Sequence, residues 1–267
     1  MFMLLGVAGT QARESPWFVD KKLVYERGSR LSMQYLESNT PQFEKKLKHI
    51  LPWVVRIEVQ HSITEDGFTS NHGTGVILKG GKVITAKHVL TKNVEDLKAK
   101  TRILLTTTHG RVLQARVIQQ GKNDWMVLQI KATAENKDIL ESPITLSTPR
   151  QGETAVFFGY PARLGLDQHG KVQSFHKGNP KKNIPVSQLN PMVVVCSVAD
   201  AKKVTLNPLA GFPPVGGMSG GPVFNLKGEV IAVQHSVTTT TEDATGRVLR
   251  YSIDASPAGA ISPNSMR

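Results

Sequence analysis

Gly217-Met218-Ser219-Gly220-Gly221-Pro222 sets one serine among glycines that free the backbone around it. In such a turn successive N–H groups point into one concavity, an anion-binding nest suited to a developing oxyanion. A serine hydroxyl alone is a poor nucleophile; it needs a neighbouring base, and the base must itself be oriented. The stretch therefore asks for a histidine and a carboxylate elsewhere in the chain.

Both are present. His88 ends the apolar run Val83-Ile84-Thr85-Ala86-Lys87-His88-Val89, and Asp124 opens the apolar run Asn123-Asp124-Trp125-Met126-Val127-Leu128. Taken singly, His88 reads as a satisfied strand-end histidine, Asp124 as a strand-opening cap and Ser219 as a turn residue. Taken together, in the order His, Asp, Ser, they make one constellation for nucleophilic catalysis.

All three local patterns resemble the trypsin/chymotrypsin superfamily of serine proteases. There the histidine follows a Thr-Ala-x run, the aspartate precedes a hydrophobic run and the serine lies in Gly-x-Ser-Gly-Gly-Pro. Gly73-Thr74-Gly75-Val76-Ile77-Leu78, Ala155-Val156-Phe157-Phe158-Gly159-Tyr160-Pro161 and Ser219 through Ile231 are similar to bacterial HtrA-type and related cofactor-free peptidases. The likeness covers residues 50–256. It implies two six-stranded antiparallel β-barrels, a cleft between them holding the active site, the backbone N–H groups of Gly217 and Ser219 as oxyanion donors, and a protein or peptide substrate.

Departures from the pattern narrow the reading. Met218 stands where digestive enzymes carry the aspartate that pairs with a newly cut N-terminus, and no Ile-Val-Gly-Gly-type sequence is visible. Activation by that salt bridge is not expected, nor is peptide sensing through a PDZ domain. The resemblance puts Pro213 and Pro214 at the floor of the primary pocket, and Gln234, His235, Ser236 and Val237 along its wall and the substrate-pairing strand. Without a carboxylate at Pro213, a small or medium apolar residue is expected before the scissile bond. Glutamyl-specific relatives carry a histidine at the position of Gln234, one residue from His235, and a one-residue shift reverses the face.

The rest of the chain agrees with an all-β protein. Val55, Ile57 and Val59 alternate with Arg56, Glu58 and Gln60, the period of a half-buried strand. Further short strands are expected near 74–79, 82–86, 101–107, 111–119 and 125–130, then near 153–159, 171–175, 191–198, 222–226, 229–235 and 247–253. The predicted organisation is an N-terminal, partly helical extension (1–50, with a helix from Pro41 to Ile50), a first barrel (51–135), a connection (136–152), a second barrel (153–256) and a tail (257–267).

Composition bounds the function. The single cysteine, Cys196, excludes an intrachain disulfide framework and reads as a small core residue. His49, His61, His72, His109, His169 and His176 suit no common zinc spacing, so neither metal nor other cofactor is expected. The net charge of +12 comes from scattered lysines without a nucleic-acid module, which speaks for a basic surface rather than specific nucleic-acid binding. No run reaches the roughly 18 apolar residues of a membrane span. The apolar start, Met1 to Gly9, resembles the end of a signal peptide, which points to a periplasmic or secreted location; an ordinary buried or frayed segment accounts for it as well. The expected function is a serine endopeptidase, bacterial or a viral processing enzyme. The alternative is a catalytically idle peptide- or protein-binding module on the same fold.

Overall fold

The alternating run at Val55 becomes the centre of β1 (Val54–Thr64) in the computed structural model, which describes residues 21–64, 67–90, 101–121, 123–161, 164–166, 172–174, 177–178, 191–211, 214, 216–242 and 248–260. Five more strands follow: β2 (Gly67–Leu78), β3 (Lys82–Thr85), β4 (Arg102–Thr106), β5 (Val112–Gln120) and β6 (Met126–Ile130). They run antiparallel in the order β1-β4-β5-β6-β3-β2, and β1 pairs with β2 from Val54↔Val76 onward, closing a barrel.

Past the connection come β7 (Thr154–Gly159), the short β8 (Leu164–Leu166), β9 (Val172–Ser174) and β10 (Lys177–Gly178), then β11 (Met192–Asp200), β12 (Thr205–Ala210), β13 (Pro222–Asn225), β14 (Val230–Glu242) and β15 (Val248–Pro257). The second closed barrel is β11-β12-β15-β14-β13-β7. Numbered within each barrel, both read second, third, sixth, fifth, fourth, first, so one topology occurs twice although no sequence repeat is visible. The expected pair of six-stranded barrels is what the chain forms.

One strand expectation is corrected. The segment around 171–175 does not enter the barrel: β9 pairs with β8 in a separate two-stranded sheet. Its place is taken by β12, which the sequence conceals because only Leu206 of that strand is a buried apolar residue and Pro208 interrupts it.

The strands read as continuous apolar runs because several are buried on both faces. In β11, Met192, Val194, Cys196 and Val198 fill the second barrel, while Val193 and Val195 face a third core between the barrels. Burial pushes the Cys196 thiol up, leaving it an inert core group. Val156 and Phe158 of β7, Val76 of β2, Ile84 of β3 and Val127 of β6 share that third core. The first barrel is filled by Val55, Ile57, Val59, Ile77, Val83 and Leu128, among others.

Two N-terminal helices complete the third core. The expected helix forms as α2 (Pro41–Ile50), with proline in its first turn and Phe43, Leu47 and Ile50 buried. Before it lies α1 (Lys21–Asn39), whose Leu36 joins the same core. The fully buried Ser32 of α1 bonds the backbone carbonyls of Val193 (2.7 Å) and Ala210 (3.1 Å), and the Val193 N–H donates to Ser29 Oγ. Val193 precedes the stretch of β11 that β12 covers, so the helix supplies the bonds that the ladder lacks there. No helix among the described residues is long and apolar enough to cross a membrane.

Candidate active site

β3 and β6 pair antiparallel with Thr85 opposite Met126. His88 lies three residues beyond Thr85, in the single turn α3 (Lys87–Leu90), and Asp124 lies two residues before Met126, so the ladder itself brings them together. Asp124 holds the histidine twice: Oδ1 accepts from the His88 backbone N–H at 2.9 Å, and Oδ2 lies 2.5 Å from His88 Nδ1. With Nδ1 engaged by a carboxylate, Nε2 is the nitrogen left for other chemistry. Burial alone would raise the Asp124 carboxyl, but the side-chain and backbone hydrogen bonds from His88 and the charge of its ring outweigh it, with His235 adding to them, and hold it below its ordinary value.

Ser219 lies in the turn leading into β13. Gly217 (φ 89°) and Gly220 (φ 83°) both take left-handed angles, and the Gly221 N–H closes the turn on the Met218 carbonyl at 3.0 Å. The N–H groups of Gly217 and Ser219 have no acceptor among the described residues, whereas those of Gly220 and Gly221 are used. Met218 is fully buried in the second barrel against Gly159, an apolar plug at the position noted for its missing aspartate.

The turn is fastened to the first barrel by Thr74, a residue whose part sequence reasoning missed. Its N–H donates to the Ser219 carbonyl at 2.8 Å and its hydroxyl to the Gly217 carbonyl at 3.0 Å. The same hydroxyl accepts from Tyr160 N–H at 2.8 Å, and the Thr74 carbonyl accepts from the Thr85 hydroxyl at 2.7 Å. A Cβ added at Gly220 would sit 2.1 Å from Thr85 Oγ1, 2.3 Å from the Thr74 carbonyl oxygen and 2.7 Å from Ala86 N. The serine turn thus rests on Thr85 and Ala86, just ahead of His88. The signal was a threonine between two glycines, directly ahead of the apolar run Val76-Ile77-Leu78. Among the described residues no hydrogen bond joins the Ser219 hydroxyl to the His88 ring.

Of the expected pocket residues, Pro213 lies outside the described residues and Pro214 is buried. Gln234 is buried; its backbone N–H donates to Gly221 O at 2.9 Å and its carbonyl accepts from Gly220 N at 2.8 Å, while Oε1 has no partner. His235 is an extra residue at a bulge between Gln234 and Ser236, and such irregularities re-aim side chains. Burial lowers its pKa, against the pull of Asp124 and Asp254 and with the push of His88, so it lies in the field of the His–Asp pair. Ser236 is exposed and Val237 half-buried, facing Ile253 across the ladder. Among the described residues no three His, Cys, Asp or Glu side chains group as metal ligands; His169 and His176 lie outside them.

A family model described as a trypsin-like peptidase domain matches residues 73–233, a span that includes Thr74, His88, Asp124 and Ser219. Among solved structures the chain is similar to the serine endoprotease from Yersinia pestis, at 19% sequence identity and a TM-score of 0.51, over 84% of this chain and 65% of that one. The chain therefore spans somewhat under two thirds of that protein, and the likeness speaks for a shared fold alone. No curated protein matches the chain.

Proposed function

The chain belongs to the trypsin-like peptidase family, and from that premise we propose that it is a serine endopeptidase working through an acyl-enzyme on Ser219. The observation that carries this reading is the doubly bonded His88–Asp124 pair beside a serine turn fastened to the same strands. The roles follow the general Ser–His–Asp scheme. Ser219 Oγ attacks the scissile carbonyl carbon while His88 Nε2 takes its proton. Asp124 keeps the other ring proton on Nδ1 and stabilises the imidazolium. The free N–H groups of Gly217 and Ser219 receive the oxyanion; losing one such donor costs about 3 kcal/mol in comparable sites. The tetrahedral intermediate collapses as His88 returns the proton to the leaving amine, and water then attacks the ester by the same route.

A fluorophosphonate probe tests the assignment. Wild type should be labelled, Ser219→Ala should not, and His88→Ala should lose turnover about as completely as the double variant, since members of such a unit are strongly non-additive. Near-native turnover in a folded His88→Ala protein would require another base. A second reading, a peptide-binding module without turnover, is favoured by the missing Ser219–His88 hydrogen bond, although such bonds often tighten only when substrate is bound. Absent labelling combined with intact peptide binding would establish it.

A further inference from the structure

The strand that the serine turn engages, β14, pairs with β15, which carries a carboxylate, Asp254, that the proposed reaction does not use. β13 parts from β14 after Pro222↔Val233, and the turn itself engages only Gln234. From His235 onward β14 has β15 as its one neighbour among the described residues, and no described strand lies along its other edge, beside Ser219. Ser236 is paired with Asp254 of β15, and Ser236 and Thr238 are exposed on one face, two residues apart. Both hydroxyls donate to Asp254 Oδ2, at 3.3 and 2.8 Å. Oδ1 accepts no hydrogen bond from a described residue and is not fully buried. Asp254 forms no ion pair with a described residue, in a chain with 33 lysines and arginines against 21 acidic residues.

We propose that Asp254 is a specificity-determining residue, drawing in a lysine or arginine side chain of an extended peptide laid along the edge of β14 beside Ser219. The proposal rests on the peptidase reading above. A peptide strand there would lie two strand spacings, about 10 Å, from β15. Ser236, which stands between, is short enough to leave the way clear. Only the long stems of lysine and arginine cross that gap with their charge at the far end. Asp254 keeps its hydroxyl donors on Oδ2 and offers Oδ1, a single-point contact that suits either cation. A peptide glutamate at that position would meet a like charge. Because burial depresses the neighbouring His235, no imidazolium competes for Asp254 at neutral pH.

Peptide-library cleavage by the full chain, with cut sites mapped by mass spectrometry, reads this directly. Wild type should enrich lysine and arginine at one position near the cut, and Asp254→Asn should lose that enrichment by about fivefold, the worth of a partly exposed charge pair. Ser236→Leu, which leaves the carboxylate but blocks the way to it, should lose it too. Cleavage without basic enrichment, or with enrichment that survives both variants, overturns the proposal. A set of fluorescent extended peptides, with lysine or norleucine at each position in turn, measures binding to Ser219→Ala by anisotropy without turnover. If the chain cuts nothing and takes no fluorophosphonate, the peptidase reading fails on its own. A lysine preference in anisotropy that Asp254→Asn removes would then still uphold the subsite, and no such preference would overturn it.

Discussion

His235 and Asp124 show how single residues in the cleft couple the fold to pH. Burial sets His235 below its ordinary 6.5, so in the window beneath that value the unfolded chain binds the proton more readily than the folded one. Its contribution is complete above pH 6.5 and is lost as pH falls toward its lowered folded value. Asp124 acts further down: its stabilisation is present above the ordinary 3.8 and disappears as pH drops through its depressed folded value. Urea midpoints measured on either side of pH 6.5 should decline on the acid side in wild type and decline less in His235→Gln. An identical decline in the variant would remove His235 from this role. None of this was legible beforehand. The family resemblance puts His235 along a pocket wall, and a bulge at that residue is invisible to a period-2 count.

At the scale of the element, the serine turn is held by a contact that a side chain would destroy. Gly220→Ala must bear a left-handed φ and also an overlap with the Thr74 carbonyl and Thr85 hydroxyl. Gly152 has nearly the same angle, 81°, with nothing within 4 Å of an added Cβ, and serves as its control. Gly152→Ala should cost about 1 kcal/mol by thermal unfolding. Gly220→Ala should cost at least about 2 kcal/mol more, as overpacking does, and should lose fluorophosphonate labelling. Equal costs for the two would mean that the inter-barrel contact contributes nothing. Elements with a clear apolar pattern were readable: all six strands of the first barrel and α2 overlap the expected stretches, with β2 (Gly67–Leu78) beginning earlier, in a polar run. α1 was not, because the residues it sends into the interior include Ser29 and Ser32, whose value lies in bonding β11 and not in hydrophobicity. Likewise β12 has a single buried apolar residue to betray it. The histidine, aspartate and serine stood out because each sits where an apolar run meets polar punctuation. Thr74 and Asp254 did not, since their partners lie in other strands.

Over the whole molecule, the halves of the candidate site belong to different barrels, and the connection between them divides cleanly. Its first part docks on the first barrel, where Ser142 Oγ donates to the Ile77 carbonyl at 2.7 Å. Its second part runs beside β14, with Val230 N–H donating to Thr145 O at 2.9 Å and Ser147 N–H to Val230 O at 2.8 Å. Pro143 between them is exposed. A chain cut there yields one piece with His88 and Asp124 and another with Ser219, each carrying a closed sheet, and neither piece should react with the probe alone. The helices of the first piece belong against β11 of the second, so they supply a docking handle. Co-expressed, the pieces should regain labelling, and Ser32→Val should weaken their reassembly more than it affects the unbroken chain. Recovery that ignores Ser32 would show the handle to be dispensable. The double barrel would then serve as a coincidence detector: its chemistry would report, in a single covalent mark, that two separately made polypeptides have met.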